Sequence, residues 1–350
     1  MKTVSVAASK SYQVHIGENL LQELGQYALS VKKACKVAII SDSNVWPLYG
    51  QQAETSLNHS GFQATHYVFP AGEASKSGAT YLEILNFLAV EQLTRTDLLI
   101  ALGGGVVGDM TGFVAATYLR GISFIQVPTT LLAMVDSSVG GKTAIDLPSG
   151  KNLAGAFYQP ELVLCDLCTL STLPMDVFRD GCAEVIKYGI LYDPILFDHL
   201  EAHSVGFKRE YVISRCVELK RDVVAEDEFD RGNRQKLNLG HTIGHGIEAC
   251  SNYATSHGYA VAAGIGIIAR SSVKLGYCQH NDCQRILSTL TSFGLPTTTT
   301  YEAITLHEKT LSDKKRQADI VNLIIPERIG ACSIRPFPVN ELLQIIESGL

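Results

Sequence analysis

Short apolar runs separated by helical lengths fill the first half of the chain. Lys36-Val37-Ala38-Ile39-Ile40-Ser41-Asp42 reads as a buried strand ending in a carboxylate. Asp97 to Leu102 reads as another, followed at once by glycines, and Ser123 to Pro128 and Leu162 to Asp166 repeat the style. Strands apolar on both sides suit a mostly parallel sheet covered by helices on both faces. From Met175 onward the periodicity is helical, with little strand signal before Val321-Asn322-Leu323-Ile324-Ile325. The pattern predicts an α/β N-terminal domain with a mostly parallel sheet over residues 1–173. A mainly α-helical C-terminal domain follows over residues 174–350, the boundary falling near Leu173-Pro174. No internal repeat or low-complexity segment interrupts the two.

The helical half holds the most informative stretch, Leu237 to Glu248, with His257 a short distance on. His241 and His245 stand four apart, on one face of a helix, where two imidazoles could hold or flank a divalent ion. Two satisfied surface histidines are the alternative. Gly240, Gly244 and Gly246 make a poor helix, each costing about 1 kcal/mol against alanine. Such a cost points to another backbone, or a ligand, close by. On the helix Tyr211 to Val224, Lys220 occupies a place where the apolar stripe calls for an apolar residue. It reads either as a snorkelling lysine or as a cation aimed into a cleft. Glu184 and Lys187, at i and i+3, read from spacing as a surface ion pair.

Composition narrows the classes. The 350 residues, 46% apolar and 18% charged, describe an ordinary globular protein of one large or two smaller domains. A net charge of −6 argues against a nucleic-acid surface, so phosphate binding must come from a local cluster. Met1 to Gly17 alternates polar and apolar residues and carries no signal peptide pattern. The longest apolar run, Tyr259 to Ala269, is too short to span a bilayer. Nine cysteines form no framework, and Cys165 and Cys168 read as buried free thiols. These features predict a cytoplasmic protein without a membrane or nucleic-acid partner.

Directly after a strand, Gly103-Gly104-Gly105-Val106-Val107-Gly108-Asp109 satisfies G-x-G-x-x-G, whose amides can approach a pyrophosphate at a helix N-terminus. A tight strand-to-helix turn is the alternative. The motif lies outside the first βαβ unit and lacks the acidic residue expected beyond it. Asp42, ending an earlier strand, is the better candidate for ribose hydroxyls. Arg120, Lys142 and Lys151-Asn152 sit beside glycine turns, where amides and a cation can act together on an anion.

Taken in order, these segments resemble the 3-dehydroquinate synthase family. The match runs from Asp42 to Lys315 through Gly72 to Lys76, Gly103 to Asp109, Pro128-Thr129-Thr130, Asp136 to Lys142 and Ser149 to Asn152. It continues through Arg179 to Tyr188, Arg234 to Glu248, His257-Gly258 and Asp313-Lys314-Lys315. The resemblance implies a Rossmann-like first domain and an active site in the cleft between the domains. It implies NAD and one divalent metal, zinc or cobalt, as cofactors, with Glu184, His241 and His257 as metal ligands. His245 then becomes a substrate-facing base rather than a ligand. The NAD set it implies is Asp42, Gly72, Glu73, Lys76, Gly104, Gly105, Val106, Gly108, Asp109, Thr129, Thr130, Asp136, Lys142, Lys151, Thr169 and Thr172. Substrate contacts would come from Arg120, Lys142, Asn152, Lys187, Lys220, Arg234, Asn238, His245 and Lys314 or Lys315. Lys142, Lys187, Lys220, Asn238 and His245 would also serve the chemistry.

The implied reaction converts 3-deoxy-D-arabino-heptulosonate 7-phosphate to 3-dehydroquinate and phosphate in the shikimate pathway to the aromatic amino acids. Transient oxidation by NAD, β-elimination of phosphate, re-reduction and an intramolecular aldol closure make up the sequence. A homodimer acting on an anionic sugar phosphate is the expected form. Amino-dehydroquinate, 2-deoxy-scyllo-inosose and valiolone-type cyclases are the nearest alternatives. Iron-dependent alcohol and glycerol dehydrogenases stand further away, and a non-catalytic NAD- and metal-binding regulator further still.

Overall fold

In the computed structural model, which describes residues 1–313 and 319–350, the chain divides into two units. One comprises Met1–Leu173 and Arg209–Phe229, the other Pro174–Lys208 and Asp230–Leu350. The first unit contains β1 (Lys2–Val6), β2 (Tyr12–Gly17), α1 (Leu24–Val31), β3 (Lys36–Asp42), α2 (Trp46–His59), β4 (Gln63–Phe69) and α3 (Gly78–Val90). It continues with β5 (Leu98–Gly103), α4 (Gly105–Thr117), β6 (Ser123–Pro128), β7 (Lys142–Leu147), β8 (Gly150–Phe157) and β9 (Leu162–Asp166). Seven of these strands form one sheet in the order β1-β2-β9-β6-β5-β3-β4. All its pairings are parallel except β1 with β2.

The apolar runs follow from burial on both faces. Val37 and Ile39 of β3 join a cluster with Leu21, Leu24 and Leu57. Ala38 and Ile40 point the other way, into a cluster with Ile84, Val107 and Met110. All six residues of β5 are buried. The sequence reading overlooked the strands that do not fit this pattern. The alternation in Met1 to Gly17 is the antiparallel pair β1–β2, and β7–β8 is a separate antiparallel hairpin.

After α5 (Met175–Tyr192) and α6 (Pro194–His203), α7 (Arg209–Glu226) belongs to the first unit. The single cut at 173/174 therefore needs correction, since Arg209–Phe229 does not share the remainder's unit. Its apolar stripe explains the return. Val212, Ile213, Cys216, Val217, Val223 and Val224 are buried, and the helix packs on β1 and on a short π-helical turn, Ala133–Ser137.

The second unit adds α8 (His241–Cys250), α9 (His257–Lys274), α10 (His280–Ser292), α11 (Ala303–Asp313), the hairpin β10 (Ile320–Arg328) and β11 (Ala331–Pro338), and α12 (Leu342–Gly349). Among the described residues, no helix is long and apolar enough to cross a membrane. The glycines of α8 meet the backbone their cost implied. Gly240 adopts φ +78°, and a Cβ there would lie 2.7 Å from the Val261 carbonyl oxygen of α9. A Cβ on Gly264 of α9 would lie 2.1 Å from the Gly240 oxygen. The two helices touch through bare backbone, which sets the spacing of the residues that head them.

Candidate metal centre and nucleotide site

His241 is the first residue of α8 and His257 the first residue of α9, while Glu184 lies within α5. Glu184 Oε1 is 3.6 Å from His241 Nε2 and 3.6 Å from His257 Nε2. One donor atom from each residue falls within 4.8 Å of the others, an oxygen and two imidazole nitrogens of the kind a divalent zinc-like ion takes. The groups behind these side chains suit a ligand set. His241 Nδ1 lies 3.1 Å from the Leu239 carbonyl oxygen, so a proton held on Nδ1 leaves the Nε2 lone pair facing the cluster. Lys187, buried with Glu184, forms an ion pair with its other carboxylate oxygen.

Two features hold α9 against α5. Asp180 Oδ1 accepts from the Tyr259 amide at 3.2 Å, satisfying an otherwise open amide in the first turn of α9. Gly258 admits the contact, because a Cβ there would lie 1.9 Å from the Asp180 carbonyl oxygen. Asp180 stands one helical turn before Glu184, so the same face of α5 carries a ligand candidate and its neighbour's cap. Sequence reasoning missed Asp180, although its i, i+4 spacing to Glu184 was the available signal.

Burial, with help from the Lys187 charge, holds His241 well below the usual imidazole range, in the neutral form a metal needs. His257 behaves oppositely. Burial lowers it, but Glu184 and Glu248 outweigh burial and push it up to about 10. Without metal, His257 therefore keeps its proton at neutral pH, and a cation must displace it. Near pH 7 metal uptake is expected to release about one proton per ion from this group. Affinity should then rise about tenfold per pH unit until His257 deprotonates near its raised pKa. Calorimetry in buffers of different ionisation enthalpy measures the release, and uptake without proton release would show that His257 is already neutral before the ion binds.

His245 projects nearby, its ring 5.6 Å from that of His241 and 6.2 Å from that of His257. It groups with Glu248 and His257 rather than with Glu184. The spacing-based pairing of His241 with His245 as joint ligands is thus not the arrangement the fold brings together. Arg234 is buried and Asn238 exposed, both on the 3-10 turn Asn233–Asn238 that precedes α8. Lys314 and Lys315 lie outside the described residues.

In the first unit the topology locates the other candidate site. The chain leaves β3 for β4 on one side and returns to β5 on the other, and the crevice at such a reversal is where open α/β sheets bind ligands. Asp42 ends β3 and Gly103 ends β5, at the carboxyl edge. Asp42 Oδ1 accepts from the Asn44 and Val45 amides, which fixes the loop that leaves the strand. The glycines of the motif divide by role. Gly103 and Gly108 make room for Val107 and Gln126, since a Cβ would come within 2.5 Å and 2.6 Å of those side chains. Gly104 and Gly105 would meet nothing nearer than 3.1 Å and 3.3 Å, so protein packing alone does not explain them. Gly104 caps α4 without a side-chain bond. The hydroxyl of Ser137, the 3.3 Å neighbour of Gly105, and that of Thr129 are buried without hydrogen-bond partners. Open amides at a helix start with orphaned hydroxyls beside them fit a pyrophosphate-bearing nucleotide. Ser137 was absent from the residues read as nucleotide candidates.

The remaining candidates of this unit are engaged with one another. Lys76 is buried, with Nζ 2.6 Å from Asp109 Oδ2 and 2.5 Å from Asn152 Oδ1. Burial would lower the Lys76 pKa, but Asp109 outweighs it and keeps the amine charged. Lys151 Nζ lies 3.7 Å from Glu73 Oε1. Thr172 Oγ1 shares a hydrogen bond with Tyr49, and Thr169 is buried with its hydroxyl donating to the Asp166 carbonyl. Thr130 Oγ1 accepts from the Ala133 amide. Gly72, at φ +113°, would meet nothing within 4 Å of an added Cβ. Val106 is partly buried against the core on the α3–α4 side of the sheet. Arg120 and Lys142 are exposed.

Lys220 is buried on α7 and donates to the Asp136 carboxylate at 2.6 Å and to the Asp136 carbonyl at 2.5 Å. It therefore sits in the first unit with a nucleotide candidate, not in the second with Arg234, Asn238 and His245. This changes its expected effect. An unpaired lysine on an apolar stripe could become methionine with stability held or raised. With two short bonds to lose, and Asp136 partly solvated, Lys220→Met is expected to lower stability by about 1–3 kcal/mol. Urea denaturation of the nucleotide-free protein measures it, and a midpoint at or above the parent's refutes the pairing.

All nine cysteines are free. Cys165 is buried and its thiol pushed up by burial, while Cys168 is only partly buried, a partial correction of the pair read as buried.

Known proteins resemble this chain over its length. The family model described as "3-dehydroquinate synthase N-terminal" matches residues 66–180, and "3-dehydroquinate synthase C-terminal" matches residues 181–316. A 3-dehydroquinate synthase of Pelobacter propionicus is 47% identical over 348 residues, covering 97% of this chain and 96% of its own. One of Streptococcus suis is 40% identical over 354 residues, covering 99% and 100%. Among solved structures, a 2-deoxy-scyllo-inosose synthase complexed with carbaglucose-6-phosphate, NAD+ and Co2+ superposes with a TM-score of 0.90 at 25% identity, covering 100% of both chains.

Proposed function

We propose, from the premise that this chain belongs to the 3-dehydroquinate synthase family, a division of labour among its residues. The reaction is the conversion of 3-deoxy-D-arabino-heptulosonate 7-phosphate to 3-dehydroquinate and phosphate, with NAD recycled. The observation that carries the reading is the oxygen-and-two-nitrogen donor set of Glu184, His241 and His257. Three protein ligands suit a catalytic ion with positions left for substrate oxygens. A zinc or cobalt ion held there would lower the pKa of substrate hydroxyls and polarise a neighbouring ketone. NAD held by the Asp42, Gly104 and Gly105 edge, with Lys76, Asp109, Thr129, Thr130 and Asp136 around it, would take and return a hydride.

The chain's own residues do the rest. Lys187 pairs with one Glu184 oxygen and leaves the other towards His241 and His257. His245, within reach of the ligand rings, moves the proton of the substrate hydroxyl that is oxidised. Arg120, Lys142, Asn152, Arg234 and Asn238 bind the phosphate and carboxylate ends of the substrate, where charge-assisted bonds are strongest. Lys220 fixes Asp136 at the nucleotide edge. A cytoplasmic homodimer belongs to the same proposal, on the strength of the resemblance.

The test is to incubate the chain with the heptulosonate phosphate, NAD and zinc or cobalt. Phosphate release with no net NADH is expected. Net NADH would favour the dehydrogenase reading, and no phosphate release from this substrate would favour another cyclase. The greater identity to the dehydroquinate synthases, 47% against 25%, supports the first outcome.

A further inference from the structure

Glu248 has a place in this centre that its position near the end of α8 does not announce. It is 1% exposed, seven residues after His241, and its Oε1 lies 3.6 Å from His257 Nδ1. The opposite nitrogen of that ring, Nε2, faces Glu184. His257 is thus held between two buried carboxylates, one on each nitrogen. A carboxylate is costly to bury unless it does something for a charged or hydrogen-bonding neighbour. When a cation takes Nε2, the proton of the neutral ring resides on Nδ1 and points at Glu248. A buried carboxylate behind a ligating imidazole fixes its tautomer and plane and raises its basicity.

We infer that Glu248 is a positioning residue for the metal centre, orienting His257 through Nδ1 so that Nε2 presents its lone pair beside Glu184 and His241. The inference rests on the reading of His257 as a ligand. The arrangement divides the work between helices: α9 supplies the ligand, α5 its coordinating partner, and α8 both a second ligand and the brace. It also gives Glu248 a role distinct from that proposed for His245 on the same helix. The rival occupant of the same residues is a second cation held by His245, Glu248 and His257, whose donor atoms also fall within 4.8 Å of one another.

The experiment measures zinc affinity of the full chain by competition with a chromophoric chelator at fixed pH, with zinc stoichiometry by elemental analysis. Parent, Glu248→Gln, Glu248→Ala and His257→Ala are compared. Glu248→Ala is expected to weaken zinc binding about 10- to 100-fold, the range for loss of an outer-sphere partner. Glu248→Gln, which still accepts from Nδ1–H, should recover most of that affinity. In the cobalt-loaded protein the visible absorption band should shift in Glu248→Ala and return towards the parent in Glu248→Gln. NAD binding, measured by calorimetry, should stay at the parent value in both, which a general loss of folding would not allow.

Parent-like zinc affinity in Glu248→Ala overturns the inference. If that variant does not fold, Glu248→Met, of similar length but unable to accept from Nδ1–H, takes its place, and parent-like zinc affinity and cobalt spectrum in it give the residue a packing role and also overturn the inference. Two ions per parent chain, falling to one in Glu248→Ala with the tighter affinity unchanged, assign the residue to a second metal site instead. Parent-like zinc affinity in His257→Ala would sink the ligand reading itself, so the two failures are distinguishable.

Discussion

Replacing His257 by alanine is expected to remove metal-dependent turnover altogether. Of the three donors, His257 is the one whose second nitrogen is also engaged by a buried carboxylate, and its loss leaves Glu184 and His241 with an incomplete set. Zinc affinity should fall by more than about 100-fold, beyond the 10- to 100-fold that an outer-sphere partner is worth. Phosphate release from the heptulosonate phosphate should fall with it and should not return at millimolar zinc. Treating the parent with a chelator should give the same loss, reversed by zinc or cobalt. NAD affinity should be unchanged, since the proposed nucleotide residues lie on the sheet edge of the other unit. Parent-level turnover of His257→Ala in metal-free buffer would end the metal assignment.

The second large effect is expected where no side chain is present. In Gly264→Ala the new methyl would lie 2.1 Å from the Gly240 carbonyl oxygen and 3.0 Å from the Gly244 amide nitrogen. Both atoms are backbone, so no rotamer change relieves the contact, and Gly240 already holds a left-handed φ of +78° that other residues resist. Alanine gains about 1 kcal/mol of helix propensity over glycine. Overpacking of 1–3 kcal/mol or more offsets it, for a net loss of about 1–3 kcal/mol. The consequence reaches the site because His241 and His257 head the two helices being pushed apart, so zinc affinity should fall together with stability. Gly206→Ala is the control, with nothing within 4 Å of its added Cβ. Thermal unfolding and a zinc competition titration check both effects. A melting temperature for Gly264→Ala equal to that of Gly206→Ala would mean that α8 and α9 do not approach through backbone.

Much of this was legible in the residues. Runs such as Val37 to Ile40 and Leu98 to Leu102 specify strands buried on two faces, because only a helix-covered parallel sheet leaves no wet side. The stripe on Arg209–Glu226 fixes that segment as an amphipathic helix, and the glycines of 240–246 signal a close backbone. Those properties are local and repeat along the chain, so a sequence carries them openly. What the stripe packs against is not local. Only the tertiary structure decided that α7 joins the first unit, which turned Lys220 from a snorkelling lysine or a cleft cation into Asp136's partner.

The metal candidates show the same limit. Spacing alone favoured His241 with His245, because helix periodicity is visible and contacts between distant helices are not. The set of Glu184, His241 and His257 came from family resemblance, and its geometry came from three helix segments brought together through Gly258, Gly240 and Gly264. Asp180 and Glu248 escaped notice because a carboxylate on a helix is usually solvated surface, and nothing in the neighbouring residues says that Asp180 is half-buried and Glu248 fully buried. Burial is a property of the whole fold, and burial is what makes these carboxylates costly unless paired.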